Sequence, residues 1–145
     1  ARAGGADIVV MAAAPADFTP VTASARKLKK TGDHGLTVEF TQTTDVLKAL
    51  SQARPAGQVI VGFAAETAED ADELLALGRS KLARKGCQLL VLNDVSGGRI
   101  FGSTATQITI ISPDAVVARV AADKAVAAHA ILDAARDVLI ERKPL

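Results

Sequence analysis

A short basic cluster of Lys27, Lys29 and Lys30 contains the residues that point most directly to chemistry. The surrounding segment, residues 15–35, is rich in Thr, Ser, Gly and Pro, which predicts a long loop. One ammonium about 4 Å from a unit of phosphate charge gains roughly 4 kcal/mol at an effective dielectric near 20. The cluster therefore suits a phosphate-bearing ligand over which the loop could close, although a solvated basic turn accounts for the same residues.

Two acidic residues lie near the start of this loop and after its end. Asp17 follows a Pro-Ala pair and is either a turn former or a ligand for ribose hydroxyls or Mg²⁺. Asp45 is expected in the first turn of a helix that Thr43 or Thr44 caps. The backbone N–H groups of such a helix start could also face an anion.

Polar or small residues also follow two apolar runs. Gly62, Phe63, Ala64 and Ala65 end one run, so that a flat ring could approach the backbone there. Asn93 and Asp94 end the other. Lys81 and Lys85 are most simply charges near the end of a helix over residues 66–84, with Thr67 as its cap and Gly86 after it.

The elements that must position these residues alternate along the chain. Apolar runs predict buried strands at Ile8–Met11, 58–65 and 89–92, and further strands are expected at 36–41 (half-buried) and 107–112. Helices are expected after Thr44, over 66–84 and over 123–141. This order predicts an α/β fold, a Rossmann-like three-layer sandwich around a largely parallel sheet. Residues 12–17, 63–66 and 93–94 would then meet at the carboxyl edge, where ligands bind.

Composition narrows the function classes. The chain has 145 residues, enough for one domain, and a net charge of +1, which argues against binding nucleic acid by bulk charge. Trp and Tyr are absent, so an aromatic platform for bases is not expected. Cys87 is the only cysteine and is expected in the core, and a cytoplasmic location is expected. His34 and His129 do not have metal-ligand spacing, and no P-loop or GxGxxG motif is present.

Seven motifs in order resemble a known family. They are MAAAPADF, KLKK, TTDVLKAL, VGFAAET, KLARKG, LLVLNDVS, and FGS followed by QITIIS. Together they resemble bacterial phosphopantothenoylcysteine synthetase, which is often fused to a flavin-dependent decarboxylase. The resemblance implies that any FMN would belong to that fused domain. It also implies a homodimer. The balanced charge predicts no nucleic-acid partner, and no membrane partner is expected because no apolar run reaches the roughly 18–20 residues of a membrane helix.

The resemblance implies a two-step reaction. The carboxylate of 4′-phosphopantothenate attacks the α-phosphorus of CTP, with Mg²⁺, and pyrophosphate leaves. The amine of L-cysteine then attacks the acyl-cytidylate and releases CMP. Cations offset the repulsion between the two anionic reactants, and a closing flap shields the mixed anhydride from water. The residues alone leave the choice between CTP and ATP open.

The resemblance also implies roles for individual residues. Lys27 matches the flap lysine that stabilises charge on the α-phosphate and on the acyl-cytidylate. Asp17 would bind the nucleotide and help to hold the metal. The remaining CTP-binding positions would be Met11, Ala12, Ala13, Thr44, Asp45, Val46, Leu47, Phe63, Lys81 and Lys85, with the Thr44 segment facing the neighbouring subunit of a dimer. The substrate-facing positions would be Phe18, Ala64, Ala65, Asn93 and Asp94.

The sequence departs from the family pattern in several places. Pro15 replaces a usual Val, Thr43-Thr44 replaces an Asn-Pro or Thr-Pro pair, and Thr104-Ala105-Thr106 replaces an acidic-Asn pair. The family's first strand and its Asn-bearing loop are not in these residues, so an incomplete site with weak or no activity is expected. The alternatives are a non-catalytic nucleotide-binding and dimerisation module, and a Rossmann-like oxidoreductase, which the missing GxGxxG disfavours.

Overall fold

The computed structural model describes residues 5–29, 32, 34–95 and 105–142. Lys30 and the FGS motif at 101–103 therefore lie outside the described residues. The chain divides into two compact units, which we describe separately: a sheet unit (Ala1–Ala12 and Leu47–Leu145) and an arm unit (Ala13–Val46). Among the described residues, no helix combines the length and the apolar character needed to cross a lipid bilayer.

The described elements follow one another as strands interrupted by three helices. In chain order they are β1 (Ile8–Met11), β2 (Phe18–Pro20), β3 (Phe40–Gln42), α1 (Val46–Gln52), β4 (Val59–Glu66), α2 (Ala71–Lys85), β5 (Leu89–Asp94), β6 (Ala105–Ile111), β7 (Val116–Asp123) and α3 (Lys124–Arg142). The sheet unit contains a five-stranded sheet in the order β1-β4-β5-β6-β7. Strands β1, β4 and β5 run parallel, and β6 and β7 extend the sheet antiparallel.

Side chains alternate between the two faces of this sheet and form two apolar layers. Val59 and Val61 of β4 pack with Ile131 of α3 on one face. Ile60 of β4 packs with Leu82 of α2 on the other face, together with Leu47, Leu90 and Leu92. Because the central strands β4 and β5 bury both faces, helices must cover both sides. The predicted α/β three-layer fold is confirmed.

The structure corrects several predicted element boundaries in the sheet unit. Strand β1 is half-buried rather than buried, because it lies at one edge of the described sheet and has a single neighbour; Val10 is 39% exposed. Strand β7 was not predicted. In the structure its residues alternate between half-buried and exposed along the whole strand. Helix α3 begins at Lys124, because the Asp123 carboxylate caps it by accepting hydrogen bonds from two N–H groups of the first turn.

Helix α2 begins five residues later than predicted. Residue Glu66 ends strand β4 instead of opening the helix, so Thr67 is not the cap. The cap is Asp70, whose Oδ1 accepts hydrogen bonds from Asp72 N at 2.9 Å and Glu73 N at 2.8 Å. The helix ends as predicted at Gly86, which has φ of 70° and donates its N–H to Leu82 O.

The arm unit differs more from the prediction. The expected loop at residues 15–35 contains β2, and the strand expected at 36–41 is shorter and displaced, because only Phe40–Gln42 pairs with β2. The alternating apolar side chains are not half-buried either: Leu36 is 70% exposed and Phe40 is 55% exposed. Alternation in the sequence indicates that one face is apolar, but it does not say what covers that face.

Candidate functional site at the carboxyl edge of the sheet

The carboxyl ends of the parallel strands lie side by side in the sheet unit. Met11 pairs with Gly62, Ala65 with Asn93, and Glu66 with Asp94. The amide of Val95 donates a 2.9 Å hydrogen bond to Glu66 O, which fixes the exit of β5 against the end of β4. The predicted meeting of these three strand ends at one edge is therefore confirmed for the sheet unit.

One face of this edge combines an aromatic ring with an amide. Because side chains alternate along a strand, Phe63 and Ala65 of β4 share a face with Asn93 of β5. Phe63 is 36% exposed, and Ala65 beside it is exposed and small. Asn93 Oδ1 is shielded from solvent and accepts no hydrogen bond from any described residue. A flat ring could stack on Phe63 while a donor reached this amide oxygen.

The other face of the same edge carries charge. Glu66 and its register partner Asp94 lie on the side of the sheet that α2 covers. The Lys81 ammonium on α2 forms an ion pair with Glu66 Oε1. Lys85 lies one helical turn further along α2, so both predicted lysines are on this side of the sheet unit.

The remaining predicted residues of the sheet unit have different surroundings. Ala64 is buried in the layer that includes Leu82, so its side chain is part of the core. Leu47 is also buried in this layer, at the second position of α1. Met11 ends β1 and is partly buried, and Ala12 after it is exposed.

The arm unit brings a second group of predicted residues together. The Thr43 amide donates a 2.9 Å hydrogen bond to Asp17 O, and the Thr43 hydroxyl donates one of 2.6 Å to Ala16 O. The Thr43 side chain therefore bridges two chain segments and does not cap α1. Because α1 begins at Val46, Asp45 precedes the helix instead of lying in its first turn. Thr44 thus lies beside the segment that contains Asp17.

The basic cluster follows a local turn. Ser24 Oγ donates a 2.7 Å hydrogen bond to Arg26 O and accepts one from Arg26 N, which closes a turn directly before Lys27. Lys27 and Lys29 are exposed, as are Ala13 and Phe18 earlier in the unit. The ammonium groups are thus accessible to an anion from solvent.

The cysteine and the histidines are less suited to catalysis or metal binding. Cys87 is buried as predicted, and burial, opposed by backbone hydrogen bonds and by Lys85, raises the pKa of its thiol. A thiol of this kind is a poor nucleophile. His34 and His129 are exposed, and the described part of the chain has no group of three metal-binding side chains.

Sequence reasoning placed Glu66 at this edge but missed its ion pair with Lys81 and gave it no role at the site. The acid was assigned to the start of α2, where acidic residues are common. The available signal was its place directly after the apolar run 58–65 and three residues before Glu69-Asp70, the acidic pair that precedes the helix. As the last residue of the strand, Glu66 lies on the face that α2 covers and meets Lys81.

Comparisons with known proteins agree with this architecture. The family model described as "DNA/pantothenate metabolism flavoprotein C-terminal domain" matches residues 1–139. The coenzyme A biosynthesis bifunctional protein CoaBC of Mycobacterium bovis is 46% identical over 101 residues, which cover 66% of this chain and 24% of that protein. The Bacillus subtilis CoaBC is 43% identical over 109 residues, covering 74% of this chain and 25% of the relative.

A solved structure supports the same assignment. The crystal structure of the C-terminal domain of a CoaBC protein has a TM-score of 0.69 and 25% identity, and covers 94% of this chain and 57% of that one. The chain spans about a quarter of the length of these two curated relatives. The family model extends over most of the sequence and agrees with the resemblance that the seven motifs indicated. The chain belongs to the DNA/pantothenate metabolism flavoprotein C-terminal domain family, the phosphopantothenoylcysteine synthetase domain of CoaBC proteins.

Proposed function

We propose that this chain provides the carboxyl edge of the active site in a CTP-dependent ligase that joins 4′-phosphopantothenate to L-cysteine. The observation that carries the proposal is the sheet edge itself. It has an exposed aromatic side chain, Phe63, a shielded amide oxygen on Asn93, and a lysine, Lys81, on the helix beside it. These groups suit a nucleoside triphosphate that lies across the edge, because a base can stack on the ring on one face while the ammonium on the other face meets phosphate oxygens.

The chemistry proceeds by two displacements. A carboxylate oxygen of 4′-phosphopantothenate forms a bond to the α-phosphorus of CTP while the bond to pyrophosphate breaks. The cysteine amine then attacks the acyl carbon, and CMP leaves with the electron pair. Lys27 offsets the charge that develops at the α-phosphorus, which is electrostatic stabilisation of the transition state. The accessible position of Lys27 after the Ser24 turn supports this assignment.

The donor set of the described residues suits Mg²⁺ that arrives with the nucleotide. Mg²⁺ retains several waters and takes one or two carboxylates together with substrate phosphates. A single exposed carboxylate, Asp17, meets that requirement, and a dedicated cage of three metal-binding side chains is absent from the described residues. When bound, Mg²⁺ would neutralise phosphate charge, while Asp17 would orient it.

We further propose that the arm unit pairs with a second copy of the chain. Its apolar side chains Phe18, Leu36 and Phe40 are each more than half exposed. Exposed apolar groups gathered in one small unit mark a protein interaction surface more often than an isolated surface position does. A dimer would also let the Thr44 segment of one subunit serve the nucleotide of the other.

The test has two arms. Calorimetry with Mg²⁺ and CTP, then with ATP, measures whether the chain binds nucleotide and prefers cytidine. Pyrophosphate release in the presence of CTP, 4′-phosphopantothenate and L-cysteine is then measured with the family's N-terminal part supplied. We expect CTP binding in the first arm and cysteine-dependent release of CMP in the second. Absence of CTP binding would overturn the proposal.

The second candidate is a non-catalytic module that binds nucleotide and dimerises. It is favoured by the exposed apolar side chains of the arm unit, which suit an interface between two copies of the chain. CTP binding without pyrophosphate release, when the N-terminal part has been supplied, would select this candidate over the ligase.

A further inference from the structure

Glu66 and Lys81 form an ion pair where β4 ends. The Glu66 side chain is 19% exposed and the Lys81 side chain 27% exposed, so the carboxylate is the more enclosed partner. Glu66 Oε1 is shielded from solvent, and its ion-pair contact with Lys81 is not supplemented by a hydrogen bond from any described residue. The ammonium is therefore what offsets the charge on this oxygen.

The neighbouring charges on α2 explain why Lys81 is better ordered when a carboxylate pairs with it. Lys81 lies on α2 near Arg84 and Lys85, and like charges three or four residues apart on a helix repel. A lysine stem has many rotamers, so an unpaired ammonium would sample many positions in solvent. Pairing with a partly buried carboxylate selects one position at the strand end.

The register places a second carboxylate beside the first. Asp94 is the partner of Glu66 across the parallel pair β4–β5, and both residues end their strands. Like charges directly opposite each other destabilise a sheet, which favours a cation on this face. The carboxylates at the strand ends therefore help to position the Lys81 ammonium, in addition to the helix that carries it.

We propose that Glu66 is a positioning residue that holds the Lys81 ammonium at the carboxyl edge, ready for the phosphate groups of a nucleoside triphosphate. The inference rests on the proposed function, which puts CTP at this edge. An ammonium has three donors, so Lys81 can retain Glu66 and still donate to a phosphate oxygen. Glu66 contributes to affinity by removing the cost of ordering the lysine when the ligand arrives.

The first experiment needs no nucleotide. Acetylation of individual lysines by an amine-reactive reagent is followed by mass spectrometry in the unchanged chain and in Glu66→Gln. We expect Lys81 to react severalfold faster in Glu66→Gln, with the rate at Lys124, on the distant helix α3, unchanged. Equal Lys81 rates in the two proteins would overturn the inference whatever the chain binds.

The second experiment measures CTP affinity by calorimetry in the presence of Mg²⁺. We expect Glu66→Gln to weaken binding about fivefold, and Glu66→Asp, which keeps the charge, to recover part of the loss. In a Lys81→Met background, Glu66→Gln should have no further effect, because the lysine through which Glu66 acts is gone. Asp133→Asn, which breaks an exposed ion pair with Arg136 on α3, is the matched control and should bind CTP normally.

Each remaining outcome is decisive. Equal or tighter CTP binding by Glu66→Gln would mean that the carboxylate only repels the nucleotide, and would overturn the inference while leaving the proposed function intact. Additive losses in the double variant would overturn it as well, since Glu66 would then act independently of Lys81. Failure of the unchanged chain to bind CTP would instead overturn the proposed function, and this inference with it.

Discussion

Gly78 of α2 lies so close to Leu92 of β5 that a Cβ atom at position 78 would be 2.4 Å from Leu92 Cδ1. Leu92 is fully buried, so its side chain has little room to move away. This contact brings the backbone of α2 onto the sheet, and α2 in turn carries Lys81. The approach of one helix backbone to one leucine thus helps to determine the geometry of the carboxyl edge.

Gly78→Ala should therefore destabilise the fold although alanine is the better helix former. The helix gains about 1 kcal/mol from the substitution, whereas overpacking a rigid core costs about 1–3 kcal/mol. We expect a net loss of about 1 kcal/mol, measured as a lower urea midpoint for unfolding. Ser80→Ala on the exposed side of the same helix is the control and should be neutral or slightly stabilising.

A second substitution checks the cause of that loss. Leu92→Ala removes the atoms that the new methyl group would meet, at the cost of a cavity. If the contact is responsible, Gly78→Ala should be tolerated, or even stabilising, in the Leu92→Ala background. The same loss in both backgrounds would contradict the steric explanation.

Much of the sheet could be predicted from the sequence because hydrophobic burial has a simple pattern. The apolar runs before Phe63 and Asn93 are buried on both faces, so they indicated parallel strands and hence a common carboxyl edge. The pairing partner of a strand is set by long-range contacts, which leave no local pattern. Strand β1 was therefore predicted as buried although it lies at an edge.

The ion pair between Glu66 and Lys81 could not be predicted for a related reason. Glu66 and Lys81 are 15 positions apart in sequence, and their contact depends on where β4 ends and α2 begins. Element boundaries are the least certain part of a sequence interpretation, since capping choices such as Thr67 or Asp70 differ little in energy. Because the helix was predicted to begin at Glu66 rather than at Ala71, the ion pair between this carboxylate and Lys81 was not foreseen.

The thiol of Cys87 should make the stability of the chain depend on pH in the alkaline range. Burial raises the pKa of the thiol in the folded chain, so the folded state keeps its proton to higher pH than the unfolded state. The stabilising effect is complete below the unfolded thiol pKa of about 8.5 and is lost as pH rises towards the folded pKa. The slope cannot exceed about 1.4 kcal/mol per pH unit for one proton.

The measurement compares the free energy of unfolding of the unchanged chain with that of Cys87→Ala. The difference should be constant between pH 7 and pH 8 and should shrink between pH 8.5 and pH 10, because only the unchanged chain has the thiol. Other titrating groups contribute equally to both proteins and cancel. A difference that grows with pH would contradict the direction of the pKa shift.

Lys27 and Lys29 of the basic loop should contribute unequally to the rate of pyrophosphate release. Lys27→Ala is expected to lower the rate of pyrophosphate release about 100-fold, as loss of one preorganised transition-state donor does. Lys29→Ala, two residues away and equally exposed, is the matched control and should cost less than tenfold. Equal losses would mean that the loop acts only through its total charge, and a steep dependence on salt would accompany that result.

The arm unit gives the last prediction, which concerns assembly. Phe40 in β3 lies opposite Pro20 of β2, and its ring is exposed. Phe40→Asp puts a charge on this face, and burying a charge in an interface without a partner is costly. We expect the unchanged chain to form the proposed dimer and Phe40→Asp to be a monomer, measured by light scattering coupled to gel filtration.

Thr41→Asp is the control for this prediction, because residue 41 follows in the same strand and its side chain points to the opposite face. The control should remain dimeric if the face that includes Phe40 is the contact surface. If both variants stay dimeric, the second copy binds elsewhere and the exposed side chains of the arm unit serve another partner. If both variants dissociate, the dimer depends on an intact β2–β3 strand pair and not on the apolar face alone. A charge added on either face of so short a strand pair would then disrupt the pairing and, with it, the dimer.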